Sequence, residues 1–357
     1  MRLSAERIDD LALGATVLGS GGGGDTRAMA LATWSSLRSN GPVDLVAAAE
    51  LPPDTWVAPI GVVGAVAALS ERLPSGAEFA AAVRTLESHL GVTVSAVHGL
   101  EIGGANGLVP VLTASSLGLP LVDADGMGRA FPRVDQTVFT AAGLPAAPVV
   151  LADSAGRSAV LSGPSNAAVE HACRAVLGSF GGWAAAVQYP MRASDANRHA
   201  IAGSFSRAAR LGRALRVSHS SAADRVRRLA DVGGTAVASG TVLEVRRGTG
   251  FAAVTIEPDS GDARTVRVEA ADEYLMVLAD GAVAVSVPDV ICMLDRRSFA
   301  PVAVDELRAG RGVDVVSFAA PAAWRHPGAA ELVAPEAFGL ASPPVAASRS
   351  GWVEAAR

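Results

Sequence analysis

The spacing of short apolar runs changes near Gly233, and this change constrains the fold more than any other feature of the sequence. Before it, apolar runs of strand length alternate with segments of helical periodicity, as in the strand-like run 56–63 and the helical run 75–90. That alternation is typical of a three-layer α/β domain. After it, β-rich runs spaced by about ten residues are separated by glycine turns, which indicates a small antiparallel barrel or sandwich.

The sequence therefore predicts an α/β protein of two domains. A three-layer α/β amino-terminal domain covers residues 1–160, and a mainly β carboxy-terminal domain covers residues 233–345. Residues 161–232 form a helical bridge between them, and residues 346–357 form a loosely held tail. With 357 residues, the chain is long enough to give each domain its own core.

All basic residues of the chain are arginines, because the sequence contains no lysine. This excludes a Walker A lysine, a lysine Schiff base and a lysine general base. The formal net charge of −5 argues against a nucleic-acid partner or an anionic membrane partner. Cys173 and Cys292 are far apart, the first residues lack the apolar core expected of a signal peptide, and the sequence contains no uninterrupted apolar span of about 20 residues. We therefore expect a soluble, cytoplasmic protein with reduced thiols.

Polar side chains are concentrated at residues 98–139 of an otherwise alanine-rich chain. The run 119–122 predicts a short buried strand, so that Asp123 and Asp125 follow at its carboxyl end. Open α/β sheets bind ligands at that end of their strands. Because the two aspartates flank one residue of an extended backbone, their side chains project on the same side. The alternative is a solvated turn, since Asp and Gly are the usual turn residues.

Three more polar residues of this stretch are candidates for the same site: Glu101, Asn106 and Arg129. Glu101 follows a strand predicted at 92–97 and precedes a glycine pair that allows backbone conformations closed to other residues. Glu101, Asp123 and Asp125 can supply a general acid and a general base if their environments separate their pKa values. These carboxylates and His98 are also suitable ligands for a divalent metal, so the metal content stays open.

Four consecutive glycines connect two predicted helices ahead of Asp25: Gly21, Gly22, Gly23 and Gly24. Such a loop beside a helix N-terminus can direct backbone N–H groups at an anion, so the loop and Arg129 are candidates to bind a substrate carboxylate. No strand clearly precedes the loop and the GxGxxG register is missing, so we expect no nucleotide cofactor. A flexible linker is the alternative, but the closely flanking helices favour an anion site.

Longer motifs connect these candidates to a known family. They are LGSGGGGD at 18–25, EIGGANGLVP at 101–110, LVDADGMGRAFP at 121–132, GSFSRAARLGRAL at 203–215, EYLM at 273–276, PDVICMLD at 288–295 and APEAFGL at 334–340. In these motifs the chain resembles the S-methyl-thiohydantoin desulfurase family, bacterial proteins often adjacent or fused to hydantoinase/oxoprolinase proteins. One departure is Asp272, which stands where an asparagine is expected before Glu273.

The resemblance implies a two-domain hydrolase that releases methanethiol from an S-methylated thiohydantoin carrying a propionate side chain, leaving a hydantoin. In that reaction, Asp123, Asp125 and Glu101 are the candidate acid and base groups. The small-molecule substrate is expected to contact the candidate binding residues, which are Gly21, Gly22, Gly23, Gly24, Asp25, Asn106 and Arg129.

Two alternatives stay open at this point. Cys292 is a possible covalent nucleophile, although its apolar neighbours favour a buried strand, where a thiol's pKa is raised. The chain is alternatively a non-catalytic partner subunit of a hydantoinase/oxoprolinase-type enzyme, or forms a homo-oligomer. Acidic residues beside glycines favour an enzyme, because the core of a protein–protein interface is depleted of charge.

Overall fold

The computed structural model describes residues 1–216, 222–259 and 265–347. A mixed sheet with helices on both faces is followed by an antiparallel sheet, so the predicted fold class is confirmed. Apart from residues 346 and 347, the predicted tail lies outside the described residues. None of the described helices is long and apolar enough to cross a lipid bilayer.

Short strands from the first 202 residues build the first sheet. They are β1 (Arg2–Leu3), β2 (Val43–Val46), β3 (Trp56–Gly64), β4 (Val94–Gly99), β5 (Leu121–Asp125), β6 (Val149–Ala152), β7 (Ser158–Leu161), β8 (Trp183–Val187), β9 (Met191–Arg192) and β10 (Ile201–Ala202). Their order is β1-β2-β5-β4-β3-β8-β6-β7, with β9 paired to β3 and β10 paired to β5. The strands β2, β5, β4 and β3 are parallel, whereas β8 and β6 run antiparallel to their neighbours.

Helices connect and cover these strands. They are α1 (Ile8–Leu18), α2 (Thr26–Asn40), α3 (Val66–Glu71), α4 (Ala77–Leu90), α5 (Val109–Leu117), α6 (Val138–Ala141), α7 (Asn166–Leu177), α8 (Ala193–His199), α9 (Ser204–Leu215), α10 (Ala222–Asp231) and α11 (Pro327–Val333). The helix α5 tolerates Pro110 in its first turn and ends at Gly118, which has a φ of 67° that glycine adopts readily.

The strand β8 shows that the first sheet is covered on both faces. Trp183 and Ala185 pack in the core that includes Phe79 of α4. The alternate residue Ala184 packs in a second core, which includes Cys173 of α7. All residues of β8 are buried, as expected for a central strand between two helical layers. This arrangement is the three-layer architecture that the alternation of helices and strands predicts.

The predicted helical bridge also completes the first sheet. Residues 161–232 contain α7, α8, α9 and α10, as the helical bridge requires. The same segment contains β8, which pairs with β3 on one side and β6 on the other, so that Val187 lies opposite both Ile60 and Val150. Because a buried strand needs partners for its N–H and C=O groups, this apolar run is incorporated into the sheet. The domain limits at 160 and 233 stay predictions.

The second sheet is antiparallel throughout. Its strands are β11 (Gly234–Gly248), β12 (Phe251–Pro258), β13 (Val266–Ala270), β14 (Tyr274–Ala279), β15 (Ala282–Ser286), β16 (Val290–Asp295), β17 (Pro301–Val302) and β18 (Gly312–Phe318). Their order is β15-β14-β13-β12-β11-β18-β16-β17. Alternate residues such as Val254, Ile256 and Val268 fill a core of its own, as the alternation of apolar residues predicts.

The glycine loop after α1 is bonded to the second sheet. Ser20 Oγ donates to the Ile291 carbonyl at 2.7 Å, and the Tyr274 N–H donates to the Ser20 carbonyl at 2.7 Å. The Val304 N–H donates to the Gly21 carbonyl at 2.9 Å. These bonds hold the start of β14 against the loop that follows α1, and the turn before β14 thereby reaches the strand ends where a ligand is expected.

Candidate functional site

A cavity of about 110 Å³ lies at the carboxyl ends of β3, β4 and β5. These are the strand ends at which α/β sheets bind ligands. The second sheet contributes Asp272 and Glu273, from the turn before β14, to the cavity wall. The described residues that line the cavity are Gly23, Val62, Val63, Gly64, Ala65, Leu69, Leu100, Glu101, Ala105, Asn106, Met127, Ala130, Phe131, Pro132, Arg133, Val134, Arg174, Asp272 and Glu273.

Glu101 lies directly after β4, and its side chain is part of the cavity wall although the residue is only 6% exposed. One carboxylate oxygen accepts a hydrogen bond from the Asn106 amide, and the other accepts from the Phe131 N–H at 3.3 Å. Burial raises the pKa of Glu101 to about 8, and the charge of Glu273 contributes to this rise. Glu101 therefore retains a proton at neutral pH.

Asn106 positions Glu101. Its Oδ1 accepts from the Val62 N–H at 2.5 Å, and its Nδ2 donates to the Val62 carbonyl at 3.2 Å as well as to Glu101. The amide thus bonds to the free backbone groups at the end of β3 as a neighbouring strand would. Asn106 lines the cavity and its described hydrogen bonds go to the protein, so its binding role stays a prediction.

Glu273 faces the same cavity from the second sheet. The residue is 4% exposed, and its Oε2 has no hydrogen-bond partner among the described residues. Burial raises the pKa of Glu273 to about 7, while the charge of Arg129 lowers it and that of Asp272 raises it. A buried carboxylate oxygen without a partner is costly unless it serves a ligand or a proton. The sequence reasoning assigned Glu273 no role.

Arg129 is completely buried and does not line the cavity, so the structure does not place it as a residue that contacts substrate. Its Nη1 donates to the Asp289 carbonyl at 2.7 Å, its Nε to the Ala130 carbonyl at 3.0 Å, and its Nη2 to the Tyr274 carbonyl at 3.3 Å. Burial lowers the pKa of Arg129 to about 10, which still leaves the guanidinium protonated at neutral pH. Arg129 is therefore a fixed positive charge behind the wall that contains Glu273.

The charges of Glu101, Glu273 and Arg129 balance when one carboxyl group is protonated and the other is ionised. Buried charges are stable only when they are compensated. The pKa of Glu273, at about 7, lies below the pKa of Glu101, at about 8, and Arg129 accounts for part of the lower value. Arg129 thus makes Glu273 the carboxyl group that ionises first, while burial favours the protonated form of Glu101, so the two groups can supply a base and an acid in one small space.

Asp123 lies in the middle of β5, which continues to Asp125, and it caps α9 instead of lining the cavity. Its Oδ1 accepts from the Phe205 N–H at 2.9 Å and the Ser206 N–H at 3.1 Å. Its Oδ2 accepts from Ser206 Oγ at 2.5 Å. A carboxylate that accepts the first N–H groups of a helix stabilises the start of that helix.

Asp125 is fully buried and bonded to the fold on several sides. Its Oδ2 accepts from the backbone N–H groups of Ile102, Met127 and Gly128 at 3.0, 3.0 and 2.7 Å, and its Oδ1 accepts from Ser204 Oγ at 2.5 Å. The two aspartates project on the same side of β5, as predicted, since both bond to the start of α9. Neither is among the cavity residues. Their acid and base roles stay a prediction that these bonds do not favour.

The glycine loop packs tightly between the two sheets, and of its four glycines only Gly23 lines the cavity. A Cβ at Gly22 would lie 2.7 Å from the Asp272 carbonyl and 2.8 Å from Glu273 Oε1. Gly23 has a φ of 77°, and a Cβ there would lie 3.0 Å from Gly104 Cα. These contacts show why the loop is glycine: the backbones of two segments pass directly over it. The anion site predicted for the loop stays a prediction.

Asp25, the other predicted binding residue beside the loop, lies outside the cavity. It caps α2, because its side chain accepts from the Arg27 N–H at 2.9 Å. It also forms an ion pair with the Arg27 side chain at 2.9 Å. Asp25 therefore stabilises the first turn of α2 and leaves the cavity wall to Gly23.

His98 and Cys292 are both buried away from the cavity lining. The Nδ1 atom of His98 lies 2.7 Å from the Gly99 carbonyl, and burial lowers the pKa of the imidazole to about 4. Cys292 lies in β16, and burial raises the pKa of its thiol to about 12, so the buried-strand interpretation is confirmed. Across the described residues, no three or more His, Cys, Asp or Glu side chains are grouped so as to hold a metal ion.

The cavity lining also includes Glu273, Arg133 and Arg174, to which the sequence analysis assigned no role. Glu273 begins the EYLM motif, which is the one local signal that could have marked it. Arg133 follows the LVDADGMGRAFP motif directly, and Arg174 lies on α7 without any distinguishing pattern. Their role depends on contacts between segments that are distant in the sequence.

Comparisons with known proteins agree with this architecture. A model of the S-Me-THD-like N-terminal domain matches residues 6–163, and a model of the S-Me-THD-like C-terminal domain matches residues 164–346. A search of curated proteins finds no match. A crystal structure of a protein from Chromobacterium violaceum is 25% identical, with a TM-score of 0.82 over 97% of this chain and 99% of that one. Because the two domain models together match nearly the whole chain, the protein belongs to the S-Me-THD-like family, as its motifs predict.

Proposed function

We propose that this protein is a hydrolase that releases methanethiol from an S-methylated thiohydantoin and leaves the hydantoin. The observation that carries the proposal is the pair of buried glutamates, Glu101 and Glu273, with raised pKa values in one small cavity. Strongly shifted carboxyl groups in a cleft are typical of general acids and bases. Membership of the S-Me-THD-like family suggests the ring on which they act.

The first step adds water to the ring carbon that carries the S-methyl group. The ionised Glu273, with its unpartnered Oε2, accepts a proton from the water as the water oxygen bonds to that carbon. The protonated Glu101 donates its proton to the ring nitrogen, so the C=N double bond becomes a single bond. The products of the step are a neutral tetrahedral adduct, a protonated Glu273 and an ionised Glu101.

The second step breaks the bond between carbon and sulfur. Glu101 accepts the proton of the new hydroxyl group as the carbonyl forms, and Glu273 donates its proton to the departing sulfur. Methanethiol leaves, the hydantoin remains, and both glutamates return to their starting protonation states. Each carboxyl group thus acts once as an acid and once as a base, which suits two pKa values about one unit apart near neutrality.

The surrounding protein keeps the two glutamates ready for these steps. Asn106 fixes one oxygen of Glu101, and the buried Arg129 favours the ionised form of Glu273. Apolar residues such as Leu100 and Phe131 also line the wall. A small cavity with such walls limits the number of competing waters and strengthens the electrostatic interactions within it.

The alternative of a non-catalytic subunit predicts a different use of these residues. A subunit needs no buried carboxyl groups of raised pKa, because each costs folding free energy while it is ionised. In this cavity two such groups lie beside a fixed positive charge, and one carboxylate oxygen is left without a partner among the described residues. This arrangement favours an enzyme.

The decisive experiment incubates the purified protein alone with the S-methylated thiohydantoin propionate and measures thiol release with a colorimetric thiol reagent. We expect release of methanethiol and, in water enriched in oxygen-18, label in the new ring carbonyl. Glu101→Gln and Glu273→Gln should each lower kcat by about 10²-fold or more, as for the loss of a general acid or base.

Glu78→Gln is the matched control for these variants. Glu78 is also buried and also has a carboxylate oxygen without a partner among the described residues, but it lies on α4 outside the cavity. We expect its turnover to equal that of the wild type. Absence of thiol release from the well-folded protein, or full activity of both cavity variants, would contradict the proposed function.

A further inference from the structure

The cavity has a second polar region apart from the glutamates. Arg133 and Arg174 are the cationic side chains among the described residues that line it. The Phe131 N–H contacts Glu101 at 3.3 Å, and Arg133 follows Phe131 by two positions along the same stretch of wall. Two residues of extended chain span at most about 7 Å. Because the two glutamates and the two arginines also line one cavity of about 110 Å³, a single small molecule can contact both pairs.

Each of these arginines is held by a buried acid. Arg133 forms a two-point ion pair with Asp135, with distances of 2.9 and 2.6 Å. Arg174 donates to Glu170 at 2.7 Å and to the Pro132 carbonyl at 2.6 Å. The acids are almost fully buried, whereas the arginine side chains are 47% and 41% exposed. In these two ion pairs the arginine side chains are therefore accessible, whereas the carboxylates are buried.

The protein contacts leave part of each guanidinium free to bind a ligand. Arg133 uses Nε and Nη2, and Arg174 also uses Nε and Nη2. Within the described part of the chain, the Nη1 groups of both arginines have no acceptor. Because the ion pairs fix the guanidinium planes, these donors are already oriented, which lowers the entropy lost on binding an anion.

We infer that Arg133 and Arg174 form an anion subsite that binds a carboxylate of the substrate, while Glu101 and Glu273 act on its ring. The inference rests on the proposed function, and it replaces the earlier expectation that Arg129 binds this group. Arg129 is fully buried and bonded to backbone carbonyls, whereas Arg133 and Arg174 line the cavity with free donors.

The test compares two substrates that differ in charge alone: the S-methylated thiohydantoin with a propionate arm and the same ring with the arm's carboxamide. The wild type should prefer the acid by about 10- to 100-fold in kcat/KM, the scale of one or two charge-assisted hydrogen bonds. Arg133→Gln and Arg174→Gln should each reduce this preference, mainly through KM for the acid, and the double variant should abolish it. In every variant the loss of kcat/KM should be larger for the acid than for the carboxamide.

Arg157→Gln is the matched control. Arg157 is also half-exposed and paired with a buried acid, Asp153, at 2.5 Å, but it lies outside the cavity. Its substitution should leave the preference for the acid unchanged. If Arg133 and Arg174 serve only to hold the wall against α7, their variants will lose activity on both substrates equally and the preference will survive. That result would overturn the subsite.

A binding measurement separates this inference from the proposed reaction. Calorimetry with the hydantoin propionate and the hydantoin carboxamide requires no turnover. Preferential binding of the acid that disappears in the Arg133→Gln, Arg174→Gln double variant supports the subsite even if no thiol is released. Equal binding of acid and amide by the wild type, or no binding of the acid, overturns the subsite, while thiol release by the same protein would leave the proposed function standing.

Discussion

Glu101 follows a strand of the first sheet and Glu273 precedes a strand of the second, yet both lie in the wall of one cavity, where burial and then the charge of Glu273 raise the pKa of Glu101. The contact between the sheets brings them together, because the glycine loop after α1 bonds to the start of β14. A site assembled in this way needs both domains in place. Glu101 and Glu273 therefore share one cavity only while the second sheet is in contact with the first domain.

The pH dependence of activity follows from the two pKa values. The ratio kcat/KM for the S-methylated thiohydantoin should be bell-shaped, with its limbs near pH 7 and pH 8. Activity falls at acidic pH because Glu273 gains a proton and is lost as a base. It falls at alkaline pH because Glu101 loses its proton. A rate profile without an acidic limb would contradict the assignment of Glu273 as the base.

The same two groups should make stability depend on pH. Both glutamates have a reference pKa of 4.5, but in the folded protein they retain protons up to about pH 7 and pH 8. Between about pH 4.5 and pH 8 the folded state binds more protons than the unfolded state, so the free energy of unfolding falls as the pH rises over this range. Glu101→Gln and Glu273→Gln should each raise the free energy of unfolding at pH 8 by about 1–3 kcal/mol, because the buried glutamine has no charge to desolvate. Urea unfolding of each variant and of the wild type at pH 5 and pH 8 measures this change. The exposed Glu257 offers a control substitution that should leave the slope unchanged.

Among the four loop glycines, Gly22 is the one at which a Cβ would approach Glu273. In Gly22→Ala the new methyl group would lie 2.7 Å from the Asp272 carbonyl and 2.8 Å from Glu273 Oε1, so the turn before β14 must move. We expect a loss of about 1–3 kcal/mol in unfolding free energy and at least a tenfold loss in kcat/KM. Gly178→Ala is the control, because a Cβ there meets no atom within 4 Å. Equal behaviour of the two variants would show that the loop adapts freely.

Asp125→Asn distinguishes a structural aspartate from a catalytic one. One oxygen of Asp125 accepts three backbone N–H groups, and an amide placed in that pocket loses acceptor capacity and the negative charge that these donors stabilise. We expect the free energy of unfolding to fall by about 1–3 kcal/mol, measured by urea denaturation. Turnover per folded molecule should change little. A loss of about 10²-fold in turnover at unchanged stability would instead support the acid or base role predicted from the sequence.

Local patterns in the sequence determined most of the secondary structure and half of the candidate acid–base pair. The helical run at 75–90 corresponds to α4, the run at 56–63 to β3, and the position of Glu101 after a strand to the end of β4. Periodicity and turn residues suffice for such predictions because they depend on neighbours within a few positions. For the same reason the sequence indicates that Asp123 and Asp125 lie near the end of a strand. It does not indicate the groups to which their side chains hydrogen-bond.

Tertiary structure decided the rest of the site. Glu273 lines the cavity from the turn before β14 of the second sheet. The strand β8, which lies in the predicted helical bridge, pairs with β3 and is therefore part of the first sheet. Asp125 and Glu101 have the same functional group but different surroundings. Asp125 accepts hydrogen bonds from three backbone N–H groups. Glu101 accepts from the Asn106 amide and from one N–H at 3.3 Å, and the charge of Glu273 acts on it. The sequence alone determined which positions are acidic residues and which of them lie near the end of a strand. Only packing decided which acid is desolvated without being fully bonded, because burial and hydrogen-bond partners come from segments far apart in the chain.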